Sequence, residues 1–479
     1  MNLKISRELF VIPQGGIFFL CLPLRGRVLA VNSGTIELLK KLESGEPENF
    51  DNSVVNILNE AGVLREREGK CVSWESGCRF TPTHVTIFPS SDCNLRCVYC
   101  YAAAGEQRKY ISLDAAYAAV DLIAANALVL GHNRIEIEFH GGGEPFFSTG
   151  FEIVRKVVEY AGKFEQLFRI RKIAASNGVL SERQIGWILD NLDHIQLSLD
   201  GPDDIQNRQR PMRNGAPSFE YVLNTIRRLE KTKFSYGIRS TITEESVTRM
   251  KELVNLIATE TNLKRVHLEP LFGCGRCNTS GYRSPDPSVF LKNFIEAREY
   301  AKKVGITIYY SGARSQDVRF LFCGAAGRNF CVTPEGFVSS CNEVTDSGDP
   351  RKKTFFYGHY SKKKRQFEFS KEKIEFLLSR TVSKIRHCAD CFAKYSCAGD
   401  CLAKAHYMGD MFDTSTNERC DINRGVLLYE LSEKMGRRVV GTIAGKHRFR
   451  LGDVQLPHKC PPPRILGIFE NEGKDISHY

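Results

Sequence analysis

Three cysteines lie close together in the run Ser91-Asp92-Cys93-Asn94-Leu95-Arg96-Cys97-Val98-Tyr99-Cys100-Tyr101. Their C-x3-C-x2-C spacing lets three thiolates wrap one corner of a cubane iron–sulfur cluster, for which thiolate is the fitting soft ligand. Three protein ligands for four irons leave one iron open, able to bind a small molecule by its amine and carboxylate. A four-cysteine site would usually only move electrons. The competing reading is a zinc knuckle, but zinc asks for a fourth ligand and favours C-x2-C pairs. Cys93, Cys97 and Cys100 are therefore the candidate catalytic residues.

A second constellation is longer. It runs Cys323, twelve residues, Gly336, four residues, Cys341; then Cys388-x2-Cys391-x5-Cys397-x3-Cys401; then Cys420. Seven cysteines in such an ordered spacing point to further clusters. The chain has 17 cysteines in 479 residues. A disulfide framework belongs to shorter, secreted chains, so metal or cluster ligation is the better account. Cys274-x2-Cys277 is a single pair and reads as loop thiols. Cys21 reads as a core residue. Cys71, Cys78 and Cys460 have no account.

The elements that must position these residues are legible as alternation. Strand patterns near Val85–Phe88, Ile135–Phe139, Arg169–Ala174, Ile195–Leu199, Ser235–Ile242 and Arg265–Leu268 alternate with helical stretches at 113–130, 148–162, 182–191, 218–231 and 246–259. A last helix spans roughly 287–304, and a strand follows at Ile306–Tyr310. Such alternation implies parallel strands with helical crossovers, and six units suit an α/β fold with a partial (β/α)6 TIM-like barrel. Chemistry in such folds sits in the loops after the strands. The first such loop carries the three cysteines. The second carries His140-Gly141-Gly142-Gly143-Glu144-Pro145, whose glycines allow backbone to approach a small ligand closely. Asn177 follows the third strand, and Ser198 and Asp200 lie at the fourth. Arg239 on the fifth and Glu269 on the sixth are weaker candidates. After residue 315 the periodicity fades, and the tail beyond Leu456, with Pro457, Pro461, Pro462 and Pro463, looks irregular.

The three-cysteine loop with an aromatic, Tyr99, before its last cysteine resembles the signature of the radical SAM superfamily. The resemblance implies reductive cleavage of S-adenosylmethionine to a 5′-deoxyadenosyl radical, which removes a hydrogen atom from an unactivated C–H bond. The loop of Gly142, Gly143 and Glu144 resembles the family's GGEP motif, which contacts the methionine amine. Asn177, Ser198 and Asp200 resemble rim positions of the family that bind ribose or line the site, and Arg239 is a weaker candidate for the same cofactor contact. The later cysteines resemble the SPASM extension, which carries two auxiliary [4Fe–4S] clusters. The family's interleaved pattern implies Cys388, Cys391, Cys397 and Cys420 for one. Cys323, Cys341 and Cys401 serve the other, with Cys331 as its candidate fourth ligand; without Cys331 that cluster keeps an open iron.

Residues 1–70 read as a separate small unit. Strands at Leu9–Ile12, Ile17–Leu22 and Arg27–Val31 precede a helix capped by Ser33 and a second after Asp51. This winged-helix-like order resembles the leader-recognition element of enzymes that modify ribosomal peptides, where a leader adds as a strand to a sheet edge. The expected organisation is a recognition domain at 1–70, the barrel at 84–312, a SPASM domain at 313–425 and an extension at 426–479. The expected function is a peptide maturase that installs a thioether or carbon–carbon cross-link in a precursor peptide, served by an electron donor such as flavodoxin or ferredoxin. A second reading is a sulfatase-maturing enzyme forming formylglycine. That family carries Asp directly after the cysteine matching Cys341, where this chain has Asn342, followed by Glu343. A further variant joins thioethers within a partner enzyme's subunit. A non-catalytic iron–sulfur carrier is the reading from another class.

The net charge of +11 is uneven: residues 351–450 carry 22 basic and 11 acidic side chains, while 1–80 balance at ten each. Cationic side chains beside anionic thiolate clusters account for this better than nucleic acid does. The run Lys362-Lys363-Lys364-Arg365 reads as a solvated loop. No stretch is read as long and apolar enough to span a bilayer, and Ile17–Leu22 lacks the flanks of a signal peptide, so a cytoplasmic protein is expected.

Overall fold

The computed structural model describes residues 4–45, 52–65, 80–415, 417–436, 450–457 and 459–470. The chain opens with β1 (Lys4–Ile5), β2 (Phe10–Gln14), β3 (Ile17–Leu22) and β4 (Arg27–Val31). Helices α1 (Ser33–Ser44) and α2 (Asn52–Glu60) and strand β5 (Leu64–Arg65) follow. Asn32, not Ser33, caps α1: its side chain accepts from the Thr35 N–H, and Gly45 closes the helix in the left-handed conformation.

The alternating middle gives β6 (His84–Ile87), α3 (Leu113–Leu130), β7 (Arg134–Phe139), α4 (Thr149–Ala161), β8 (Arg169–Ser176), α5 (Glu182–Asn191), β9 (His194–Ser198), α6 (Asp203–Gln209), α7 (Phe219–Glu230), β10 (Tyr236–Ile242), α8 (Met250–Glu260), β11 (Arg265–Pro270), α9 (Cys277–Ser280), α10 (Pro287–Lys303) and β12 (Thr307–Tyr309). Then come β13 (Cys331–Val332), β14 (Phe337–Ser339), α11 (Lys352–Phe355), β15 (Phe356–Ser361), β16 (Gln366–Phe369) and α12 (Lys371–Leu378). The last elements are α13 (Lys394–Cys397), α14 (Leu402–Tyr407), α15 (Arg419–Lys434) and β17 (Ile465–Glu470).

These elements form two compact units. One contains residues 77–311 and 323–379; the other gathers 1–76, 312–322 and 380–479. In the first, seven parallel strands run in chain order from β6 to β12, each beside its predecessor, as a partial barrel requires. Strand β13 continues the same sheet, pairing parallel to β6, and β14, β15 and β16 follow antiparallel, eleven strands in all. The exposed Lys362–Arg365 run is the turn of the β15–β16 hairpin.

One correction concerns α3. Among the described residues it is the one helix long and apolar enough, by length and composition, to cross a membrane. Its sequence combines seven alanines with four leucines, two valines and an isoleucine. Ala115, Ala116, Ala119, Val120, Ile123, Ala124 and Ala127 are buried, and the helix packs on β6, β7 and α4. Small side chains let it lie close on the sheet.

In the second unit, β2, β3, β4 and β17 form one antiparallel sheet in the order β17-β4-β3-β2. Strand β17 is a further correction: the tail that reads as irregular pairs with β4. Both faces of this sheet are covered. Val11, Leu20 and Leu29 face α1 and α2, together with Leu451 and Val454. Phe10, Ile12, Phe19, Cys21, Val28 and Ala30 face Phe392, Ala393, Cys397 and the α15 residues Leu427, Leu428 and Leu431. Two covered faces explain why Ile17–Leu22 is continuously apolar instead of alternating. Residues 1–65 thus share a core with the late cysteines and do not stand alone. Cys21 is buried, as expected of a core residue, whereas Cys71 and Cys78 lie outside the described residues.

Candidate active site

The loop after β6 is held from several sides. Asp92 is buried, and its Oδ1 accepts from the Cys93 N–H at 3.0 Å. Its carboxylate also takes Tyr110 Oη at 3.2 Å and faces Arg108 and Arg213. The Arg96 guanidinium donates to the carbonyls of Cys93, Leu95 and Gly105. Each of the three thiols meets N–H donors. Cys93 Sγ receives the Leu95 N–H at 3.4 Å and Asn177 Nδ2 at 3.7 Å. Cys97 Sγ receives Arg210 Nη1 at 3.8 Å, and Cys100 Sγ the Ala104 N–H at 3.4 Å. Burial pushes the Cys97 thiol up to about 11, against the pull of Arg210, and pushes Cys93 up as well. Buried thiols that meet donors and a guanidinium suit binding to a cationic iron core, which takes the charge that the protein interior disfavours.

The glycine loop after β7 presses on the same segment. A Cβ on Gly143 would lie 2.1 Å from the Asp92 carbonyl oxygen, and the Glu144 N–H donates to that oxygen at 2.9 Å. Glu144 is 3% exposed. It accepts from Ser176 Oγ at 2.9 Å and the Asn177 N–H at 2.7 Å. Burial outweighs these donors and pushes its carboxyl up to about 7. Asn177 joins both loops, since its Nδ2 also reaches Asn94 Oδ1 at 2.7 Å.

Asp200 plays a different part from a ligand contact. Its oxygens take Tyr99 Oη, Gln209 Nε2 at 2.9 Å, Arg210 Nε at 2.9 Å and the Thr241 N–H at 2.9 Å. It is a brace that ties the cysteine loop, through Tyr99 and Arg210, to β10. Ser198 closes β9. Arg239 lies on β10 within electrostatic reach of His140 and Tyr101, and its charge, after burial, helps hold the His140 imidazole low. Glu269 accepts from Ser311 Oγ at 2.7 Å and neighbours His267, so it is engaged locally.

Three contributors carry no signal in the sequence. Arg210 lies over the Tyr99 ring, 5.4 Å from its centroid, while donating to Asp200 and Cys97. Arg276 donates to the Cys97 carbonyl at 2.8 Å and the Ala104 carbonyl at 2.9 Å. Gly275, at φ +61°, brings its backbone so near that a Cβ would sit 2.4 Å from the Cys100 carbonyl oxygen. The loop holding Cys274 and Cys277 therefore clasps the cysteine loop by backbone. Cys277 Sγ itself donates to the Tyr282 carbonyl at 2.8 Å.

Of the later cysteines, Cys323, Cys331 and Cys341 belong to the barrel unit. Cys331 is buried on β13, where its Sγ donates to Asn342 Oδ1 at 2.9 Å. The Cys341 sulfur accepts the Glu343 N–H at 3.5 Å, and Arg351 pairs with Glu343 at 3.6 Å. Cys401 belongs to the other unit. There Cys388, Cys391, Cys397 and Cys420 line one cavity with Arg424 and Asn423. Asn423 Nδ2 donates to Cys397 Sγ at 3.1 Å. Ala398, Gly399 and Asp400 all have positive φ, which coils the segment between Cys397 and Cys401. The buried Arg380 satisfies the Gly399 and Asp400 carbonyls of that coil, and the Met411 carbonyl beyond it. Asp400 in turn takes Arg419 Nε at 2.9 Å and Asn417 Nδ2 at 3.0 Å. Four thiols around one hollow, with a guanidinium beside them, fit a thiolate-ligated cluster.

Residues 87–257 match the family model described as the Radical SAM superfamily. An uncharacterised protein of Methanocaldococcus jannaschii is 28% identical over 36% of this chain and 58% of its own length, so the chain spans little more than half of that relative. The cysteine-type anaerobic sulfatase-maturating enzyme of Clostridium perfringens (strain ATCC 13124) is 24% identical over 54% of this chain and 74% of its own. A solved structure described as native anSMEcpe with bound AdoMet has a TM-score of 0.58 at 19% identity. It covers 73% of this chain and 97% of that one, a likeness of fold.

Proposed function

The chain carries a radical SAM domain at residues 87–257, and from that premise we propose that it is a peptide or protein maturase. In this reading Cys93, Cys97 and Cys100 hold a [4Fe–4S] cluster that binds S-adenosylmethionine. The bound pair would supply a 5′-deoxyadenosyl radical able to take a hydrogen atom from an unactivated carbon. The chain's own residues bind, orient and shield. Glu144, held by Ser176 and Asn177, offers a carboxyl beside the glycine backbone for the cofactor's amine. Arg210 and Arg276 fix the loop and place positive charge against its thiolates. Cys388, Cys391, Cys397 and Cys420 hold an auxiliary cluster, and Cys323, Cys331 and Cys341 of the barrel unit are ligands for another. These would pass on the electron released as the substrate radical is oxidised, with a flavodoxin or ferredoxin as external donor.

The observation that carries this reading is the three-thiol loop, with a hydrogen-bond donor at every sulfur, locked by backbone contact to the Glu144 loop. Anaerobic reconstitution with iron and sulfide, then dithionite and S-adenosylmethionine, should yield 5′-deoxyadenosine, and Cys97→Ala should abolish it. Persistent formation in that variant would overturn the assignment. The product we propose is a thioether or carbon–carbon cross-link in a precursor peptide, visible by mass spectrometry as the loss of two hydrogen atoms. Formylglycine formation is the second reading, favoured by the sulfatase-maturating relative. Against it, Asn342 replaces the expected Asp and is engaged by Cys331.

A further inference from the structure

Successive side chains of a strand point to opposite faces of its sheet. On β10 the buried row is Tyr236, Ile238, Ser240 and Ile242, and between them Arg239 is exposed on the other face. Its strand is hydrogen-bonded on both sides, to β9 through Ser198 and to β11 through His267. An arginine inside an eleven-stranded sheet, at neither its edge nor a loop, is not something that packing asks for.

The other charges on that face are answered locally. Glu136 takes Arg171 at 2.8 Å, and Glu138 takes Thr86 at 3.0 Å and faces His84 at 3.5 Å. Glu269 takes Ser311 at 2.7 Å and meets His267 at 3.0 Å. Arg265 lies over the Tyr309 ring, 5.1 Å from its centroid. Arg239 has no such answer. Among the described residues it makes no hydrogen bond and no ion pair, and the groups it reaches electrostatically include His140 and Tyr101.

Those two neighbours say what it faces. Tyr101 follows Cys100 and feels its charge, together with the charges of Glu343 and Cys341. Arg239 therefore borders the space between the cofactor loop and the Cys341 turn, all of it inside the barrel unit. Glu343 is paired with Arg351 at 3.6 Å, which offsets its charge. His140 Nδ1 is buried without a hydrogen-bond partner among the described residues. The cation within reach of Glu144 is Arg210, so the cofactor's end of the site already has one of its own.

We propose that Arg239 is a specificity residue that receives the side-chain carboxylate of an acidic residue in the substrate peptide, with His140 as a second donor. A guanidinium meets a carboxylate through two parallel N–H bonds. An amide of the same shape offers one acceptor and turns a donor toward a donor. Held there, the acidic residue lies between the cofactor loop and the second set of thiols. This rests on the peptide-maturase reading and adds the class of residue it selects.

The probes are pentapeptides with Asp or Glu between pairs of glycines, and their Asn and Gln counterparts. All are acetylated and amidated, so the central side chain carries the one charge. Equilibrium dialysis against the reconstituted full chain with S-adenosylmethionine, without reductant, should show an acidic peptide binding about tenfold tighter than its amide, the scale of one charge-assisted pair. Arg239→Gln should erase that preference, and Arg239→Lys should keep part of it. Phenylglyoxal, which modifies accessible guanidinium groups, gives a second reading on the native chain. The acidic peptide should slow modification of Arg239 several-fold, as located by peptide mass spectrometry, and the amide should not. Equal binding of acid and amide, or a preference that survives Arg239→Gln, overturns the proposal. Protection of Arg239 by S-adenosylmethionine alone, with none added by the acidic peptides, also overturns it, by giving the guanidinium to the cofactor. A native chain that prefers the acidic peptide yet forms no 5′-deoxyadenosine under dithionite would sink the maturase reading and leave the carboxylate site standing.

Discussion

At the scale of residues, the site trades stability for function at Glu144. Its carboxyl is buried, and burial raises it from an ordinary 4.5 to about 7. A folded-state value above the unfolded one stabilises the protein fully below pH 4.5, and that contribution is lost as pH rises to about 7. The loss is roughly 3 kcal/mol at 1.36 kcal/mol per unit. In cluster-free protein, urea unfolding should therefore show stability falling over this window. Glu144→Gln should flatten the profile, unfold later than the native chain at pH 8, and bind S-adenosylmethionine more weakly. An unchanged profile would remove Glu144 as the cause. The three thiols were legible because one loop carries them at fixed spacing. Arg210 and Arg276 were not, since each reaches Cys97 from a loop more than a hundred residues away, and no local pattern marks such a return.

At the scale of elements, backbone proximity matters more than side-chain identity. Gly275 sits at positive φ with the Cys100 and Tyr101 carbonyl oxygens where a Cβ would go. Gly275→Ala should cost about 1–3 kcal/mol of local strain, keep the circular dichroism spectrum, and speed the loss of cluster absorbance under a chelator. Gly186, inside α5 with open space around it, is the control. Gly186→Ala should stabilise the protein by about 0.5–1 kcal/mol and leave cluster retention unchanged. The β/α order was legible because most of the helices are amphipathic and the strands are short, with apolar residues recurring along them. Strand β17 was hidden because prolines precede it and Gly467 interrupts its apolar run, so its partner, β4, has to be known first.

At the scale of the whole molecule, chain order and spatial grouping diverge. The apolar run Ile17–Leu22 carried the clue, since a strand with both faces apolar needs cover on both. The cover comes from α1 and α2 on one side and from Phe392, Cys397 and α15 on the other. Deleting residues 1–65 would bare that second core. The deletion should lose iron from the Cys388–Cys420 site and make residues 380–436 sensitive to limited proteolysis, where a detachable domain would leave both intact. Strand β17 also sets a schedule for synthesis. The sheet begun within the first 31 residues gains its fourth strand only when residue 470 has left the ribosome, long after the intervening barrel strands. During that interval the β4 rim is bare, so a chaperone, or a slow pause in translation before β17, would decide how much protein matures or aggregates.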